Sequence, residues 1–210
     1  MKKTLLAVAA LCVLTSGAAM AQQQDGKWQV RVRAVNIDAA NHGAAASKSG
    51  LGLSVNDKTI PELDITYYFT PNWAAELILT YPQKHTIRSN GHLGNLGEIG
   101  SLKQLPPTLL AQYHFTDFGA FKPYVGLGVN YTRFSSIQFN DVVSSINPKV
   151  KKNSWGAAMQ LGFDYALDKN WSLNLDVKKV YMHTKVTTDA GSGKLKVDPW
   201  LIGVGVGYRF

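Results

Sequence analysis

VDPWLIGVGVGYRF, residues 197–210, alternates with a period of two. Trp200, Ile202, Val204, Val206, Tyr208 and Phe210 fall on one side, and Leu201, Gly203, Gly205, Gly207 and Arg209 fall on the other. Alternation of this kind marks a β-strand with one apolar face. Aromatic residues stand at both ends of that face, while the opposite face is mostly glycine.

The pattern recurs along the chain. In WQVRVRAV (28–35), Trp28, Val30, Val32 and Ala34 oppose Gln29, Arg31 and Arg33. PELDITYYF (61–69) sets Pro61, Leu63, Ile65, Tyr67 and Phe69 against Glu62, Asp64, Thr66 and Tyr68, and WAAELILTY (73–81) sets Trp73, Leu77 and Tyr81 against Glu76 and Ile78. TLLAQYHF (108–115), KPYVGLGVNYTRF (122–134), SWGAAMQLGFDYAL (154–167) and WSLNLDV (171–177) repeat it, which with the closing stretch makes eight strands. Short turns at 70–72, 116–121 and 168–170 alternate with long polar segments at about 38–57, 82–104, 135–153 and 186–196. Short turns on one side, long loops on the other and an even strand count are the layout of an outer-membrane barrel. The expected fold is therefore all-β, an eight-stranded antiparallel transmembrane β-barrel of the bacterial outer membrane.

A soluble lipocalin-type barrel also has eight strands, but it holds its apolar residues inside. Here the face opposite the apolar one carries Arg31, Arg33, Glu62, Asp64, Glu76, Asp164, Asp176 and Arg209 among glycines. Trp and Tyr recur at the ends of the apolar faces, as in the interfacial girdles of membrane barrels, which favours lipid outside. In the seventh strand the same parity points Lys179 at lipid, so either Lys179 snorkels at headgroup level or a bulge near Lys178 and Lys179 shifts the register.

The first residues, MKKTLLAVAALCVLTSGAAMA (1–21), read as a secretory signal cleaved after Ala21; the apolar run is shorter than the ~20 residues a spanning helix needs. Cleavage leaves residues 22–210 as the barrel and removes Cys12, the single cysteine, so disulfide and thiol chemistry are not expected. The formal charge of +8 falls to +6 with the loss of Lys2 and Lys3. In an exported protein this basic excess suits an anionic membrane surface rather than nucleic acid.

Parity also predicts the lumen. The inward charges are mixed, Arg31, Arg33, Lys122, Lys178 and Arg209 against Glu62, Asp64, Glu76, Asp164 and Asp176, and in so narrow an interior they should cross-link into a polar plug rather than line an ion pore. Toward the long loops the inward positions turn apolar: Ile78, Leu110, Val180 and Met182, joined by loop residues including Leu53, Ile99, Leu102 and Leu105. They form either a greasy upper cavity or simply the packing under the loops. His42, His85, His92, His114 and His183 have no metal-ligand spacing, no nucleophile elbow is present, and GHLGNLGEIG (91–100) lacks the Lys-Ser/Thr of a phosphate loop. A loop His85 or His92 beside Ser89 or Ser101 is a commonplace pairing, so no enzyme activity and no cofactor are expected.

LPPTLLAQYHF (105–115), FKPYVGLGVNYTRF (121–134), SWGAAMQLGFDY (154–165) and DPWLIGVGVGYRF (198–210) closely resemble segments of the outer membrane protein W (OmpW) family in the same order, with weaker similarity in ITYYFTPNWAAELIL and PQKHTI. The resemblance implies an outer-membrane barrel whose hydrophobic interior is closed toward the periplasm. Small apolar compounds would move through it and leave sideways into the membrane, or bacteriocins and phage would use the barrel as a receptor. By position, Ile78 and a residue between Lys178 and Val180 match family positions held to constrict the channel, although an expected aromatic is missing at the second. Tyr208 and Phe210 resemble the C-terminal signal read by the barrel-assembly machinery. The remaining expected partners are outer-membrane lipid, lipopolysaccharide and small hydrophobic solutes.

Overall fold

A computed structural model of the protein describes residues 26–38, 53–55, 57–91, 94–140, 149–188, 191–196 and 198–210. The expected signal peptide, residues 1–21, lies outside the described residues. Fourteen strands are present among them: β1 (Trp28–Asp38), β2 (Leu53–Val55), β3 (Lys58–Tyr68), β4 (Trp73–Leu79), β5 (Gln83–Gly91), β6 (Gly94–Leu105), β7 (Thr108–His114), β8 (Phe121–Phe139), β9 (Lys149–Val150), β10 (Asn153–Ala166), β11 (Trp171–Val180), β12 (His183–Thr188), β13 (Gly191–Lys196) and β14 (Trp200–Arg209).

Eight of these make the wall, in the order β1, β3, β4, β7, β8, β10, β11, β14, every neighbour antiparallel. β14 closes the ring: it pairs with β11 from Trp171↔Tyr208 to Lys179↔Trp200 and with β1 from Gln29↔Arg209 to Asp38↔Trp200. Closure leaves no continuous sheet edge facing lipid, which is what a sheet must achieve to cross a bilayer. The protein is thus a closed eight-stranded antiparallel barrel.

Burial is inverted relative to a soluble domain. Trp28, Val32, Leu77, Leu109, Leu127, Leu161, Leu173, Ile202 and Val206 are exposed, whereas Gln29, Arg31, Arg33, Asp64, Glu76, Gln112, Asn130 and Asp176 are fully shielded or nearly so. Period two in the sequence therefore maps onto lipid side and lumen side on every wall strand. The turns tie back locally: Thr70 Oγ1 accepts the Trp73 N–H at 2.9 Å, and Asp168 Oδ1 accepts the N–H groups of Asn170 (2.8 Å) and Trp171 (2.7 Å). The second pair depresses the Asp168 carboxyl below the usual carboxylate range.

Two of the long segments are more ordered than polar loops. Residues 83–91 and 94–105 pair as β5 and β6, and β6 pairs with the outer half of β8 from Leu105↔Arg133 to Gly100↔Phe139. β12 and β13 make a second hairpin, to which β9 adds a third strand. In the seventh strand no bulge occurs. β11 stays in register with β14 through Lys179 and with β10 through Val180. Lys179 turns outward, its Nζ donating to the Asp198 carbonyl and lying 4.9 Å from the Trp200 ring centroid. Cation–π contact beside an interfacial tryptophan explains how a lysine is tolerated at that position.

Candidate functional site

The lower lumen is filled by charged side chains from β1, β3, β4, β10 and β11. Arg31 on β1 clamps Asp164 on β10 with two bonds (Nε to Oδ1, 3.2 Å; Nη2 to Oδ2, 2.6 Å), and its Nη1 donates to Thr66 Oγ1 (2.7 Å) and Glu76 Oε1 (2.9 Å). Arg33 lies one step up the same strand face. Its Nε donates to Asn174 Oδ1 (2.7 Å) and its Nη2 to Glu76 Oε1 (3.1 Å), and Nη1 lies 2.9 Å from Asp64 Oδ2 and 3.5 Å from Asp176 Oδ2. Lys178 bridges Glu62 and, at 3.2 Å, Asp176. Gln112 and Gln160 each donate to Glu76 Oε2 at 2.9 Å. Asp64 is held by charge rather than by directed bonds, since neither of its oxygens takes a hydrogen bond although Arg33 is adjacent.

The glycines of β14 make this network possible. A Cβ on Gly203 would lie 2.6 Å from Asp176 Oδ1, and one on Gly205 would meet the Val32 carbonyl oxygen at 2.1 Å and the Arg33 side chain at 2.9 Å. A glycine face opposite an arginine-bearing strand thus fits two bulky guanidinium groups into a narrow barrel. Below, Tyr68, His114 and Tyr124 form an aromatic layer with centroid spacings of 5.0 and 4.9 Å.

Above the charges the lumen holds a small, partly open cavity. Its walls are Ile37, Ile60, Ile78, Val180, Met182 and Leu201, its floor is Lys178 and Glu62, and Thr80, Gln83, Gln104, Thr108 and Asn130 add polar groups on one side. Of the residues singled out from the sequence, Ile78, Val180 and Met182 meet here. Leu110 packs in the same buried cluster, together with Ala158, behind the wall. Leu105 is half-buried at the end of β6 opposite Arg133 and is not on the wall. The Leu53 side chain lies outside the described residues. Ile37, Ile60 and Leu201 escaped the sequence reading, yet the signal was there: each continues the lumen parity of its strand toward the loops.

The cavity touches a seam in the wall. β3 pairs with β4 only as far as Leu63↔Leu79, while β3 itself runs on to Lys58 against β1. Tyr68 N–H donates to Lys27 O (2.8 Å) and Phe69 N–H to Trp73 O (2.9 Å), so even-numbered residues of β3 bond β1 and odd-numbered ones bond β4. Had the ladder continued, Pro61 would stand opposite Tyr81 and owe its carbonyl an N–H, which proline lacks. The Tyr81 carbonyl instead accepts from Gln83 Nε2 (3.0 Å) and Thr80 Oγ1 (3.2 Å). Ile60 and Glu62 from one lip of this seam and Ile78 and Thr80 from the other line the cavity. Among the described residues no group of three or more His, Cys, Asp or Glu is placed to hold a metal ion.

Comparison with known proteins agrees with this architecture. A family model described as "OmpW family" matches residues 24–210. The chain is 46% identical to an uncharacterized outer-membrane protein, y4mB, of Sinorhizobium fredii, over 87% of this chain and 80% of that protein. It is 35% identical to outer membrane protein W of Vibrio cholerae over the full length of both. Among solved structures, the crystal structure of the outer membrane protein OprG from Pseudomonas aeruginosa superposes with a TM-score of 0.75 at 32% identity, covering 91% of this chain and 99% of that one.

Proposed function

Because this chain belongs to the OmpW family of outer-membrane barrels, we propose that it is a passive channel by which small hydrophobic molecules enter from outside, stop above a polar plug and leave sideways into the membrane. The observation that carries this reading is the cavity's shape. Mostly apolar residues wall it, ion pairs floor it, and residues of both β3 and β4 line it next to the point where their ladder ends. An apolar solute gains by leaving water for that wall at roughly 25 cal/mol per Å² of buried surface. It gains nothing from a floor of paired charges.

The reading is tested in vesicles holding the refolded mature protein, by comparing influx of a small apolar fluorescent probe with that of a sugar of similar mass. The probe is expected to enter faster than into empty vesicles and the sugar is not. Ile78→Asp, which puts a charge on the cavity wall, should slow the probe while the barrel still folds. Influx of both solutes, or of neither, overturns the reading.

A second reading, a barrel whose outer surface is the working part, is favoured by the β12–β13–β9 sheet. Lys185 stands directly opposite Lys194 and His183 opposite Lys196, and Lys149 faces Thr187. Alternation places these positions on one face of the sheet, and cations set directly opposite each other are unfavourable unless an anion covers them. The sheet follows straight on from β11, beyond the outward Lys179 and Trp200, where lipopolysaccharide phosphates would lie. Lys185→Gln with Lys194→Gln should weaken binding to lipopolysaccharide vesicles by about 2 kcal/mol, at about 1 kcal/mol per lysine. An unchanged affinity removes the support for this surface.

A further inference from the structure

Resting on the channel reading above, we infer that the cavity selects apolar molecules carrying one hydrogen-bond donor, such as a phenol or an alcohol, and that Gln83 Oε1 receives that donor. Gln83 is fully buried at the start of β5 and lines the cavity beside the seam. Its amide orientation is fixed by its neighbours. The Tyr81 carbonyl can only accept, so the Gln83 amide nitrogen must face it, at 3.0 Å, with Thr80 Oγ1 at 3.4 Å as a second acceptor. The amide oxygen is thereby turned away from both and has no partner.

The donors around it are engaged elsewhere. Thr80 Oγ1 donates to Tyr81 O at 3.2 Å, Thr108 Oγ1 to Pro106 O at 3.2 Å, and Asn130 Nδ2 to Thr108 Oγ1 at 2.7 Å. Lys178 on the floor is taken by Glu62 and Asp176. What Gln83 offers a solute is therefore an acceptor, set in a mostly apolar wall. A buried acceptor left without a donor is unfavourable, so a site built this way discriminates against a solute of the same shape that lacks the donor. A carboxylate solute would bring further acceptors to the same oxygen and is disfavoured.

The experiment compares 2-naphthol with 2-methoxynaphthalene, which have the same fluorescent ring system but differ in the O–H. Their influx is followed in vesicles with a lipopolysaccharide outer leaflet, with and without the refolded protein. The wild-type protein should accelerate 2-naphthol about fivefold more than the ether, the factor expected of one net hydrogen bond. Gln83→Met should bring that ratio to about one. In a second measurement on the wild-type protein, the Gln83 side-chain carbonyl ¹³C resonance, assigned by its loss in Gln83→Met, should shift with 2-naphthol and not with the ether. Equal acceleration of both compounds by the wild type, or a Gln83 resonance that does not respond to 2-naphthol, overturns the inference while leaving the channel standing. Acceleration of neither compound overturns the channel reading itself.

Discussion

Replacing Arg31 by methionine tests whether the ion-pair network of the lumen is as dry as its geometry implies. Arg31 is fully buried and makes both of its Asp164 contacts through a planar fork, at 3.2 and 2.6 Å. With the guanidinium gone, Glu76 keeps Arg33, Gln112 and Gln160, whereas Asp164 keeps one hydrogen bond, from the Asn174 amide at 2.8 Å, and the Lys122 opposite it in the ladder. The damage therefore concentrates on one carboxylate. Removing one partner of a buried ion pair costs about 3–5 kcal/mol, because the other charge stays desolvated. Asp164→Asn in the same molecule removes that stranded charge, so the double variant should regain about 2 kcal/mol relative to the sum of the single changes. The assay is a urea titration of tryptophan fluorescence in lipid vesicles for the four members of the cycle. A cost for Arg31→Met below about 1 kcal/mol, the range of solvent-exposed pairs, would mean that water reaches Asp164 and would refute the reasoning.

Other expectations follow from the same structure. Gly205→Ala should cost more than Gly207→Ala, because a Cβ at 205 meets backbone, the Val32 carbonyl oxygen at 2.1 Å, whereas at 207 the nearest atoms are the side-chain ends of Gln29 and Ser172 at 2.7 and 2.8 Å. Unfolding free energies should differ by about 1–3 kcal/mol, the usual cost of overpacking. Asp168 stabilises its turn as a carboxylate with a lowered pKa, so its contribution is present above the unfolded value of about 3.9 and is lost as the pH falls through the lower folded value. Unfolding rates of Asp168→Ala and wild type should accordingly differ at neutral pH and converge in acid. Phe210 exchanges backbone hydrogen bonds with Trp28 (2.8 and 3.1 Å) while its ring faces outward. Phe210→Ala should lower the heat-modifiable folded fraction in cells more than in spontaneous refolding, and equal losses would argue against a role in assembly.

How much was legible in the sequence depends on which physical signal set each element. Period-two alternation follows from lipid on one side and a packed lumen on the other, so every wall strand could be read from it. The pairing of opposite charges was also foreseeable in kind. Its partners were not, because Arg31 and Asp164 are 133 residues apart and meet only through barrel closure. The β5–β6 and β12–β13 hairpins were hidden because neither alternates with a period of two: the apolar residues of β6, Leu96, Ile99, Leu102 and Leu105, recur every third position, and β12 and β13 carry one aliphatic residue each, Val186 and Leu195. Lys179 looked anomalous because its partners, the Trp200 ring and the Asp198 carbonyl, belong to another strand and the segment before it. Gln83 carried no signal at all. Its significance rests on the missing N–H of Pro61, which lies in a different hairpin.

If the barrel is the channel proposed above, that missing N–H sets which way a solute would leave. Going straight down, it would have to separate the Lys178–Glu62 pair and then the bonds of Arg33 and Arg31, each buried and each costing about 3–5 kcal/mol to break from one side. An apolar solute offers those charges nothing in return. Going sideways above Leu63↔Leu79, it parts two strands between which no ladder bond exists, and the Tyr81 carbonyl is already satisfied by Gln83 and Thr80. Beyond lies lipid, where its apolar surface stays out of water. Pro61→Val restores the absent donor and allows the ladder to extend by one pair. One net hydrogen bond of about 1 kcal/mol would hold the seam closed about five times more of the time. Influx of the apolar probe should slow by about that factor, with the plug untouched and sugar still excluded. If the probe enters the Pro61→Val barrel as fast as the wild type, the seam between β3 and β4 is not the way out.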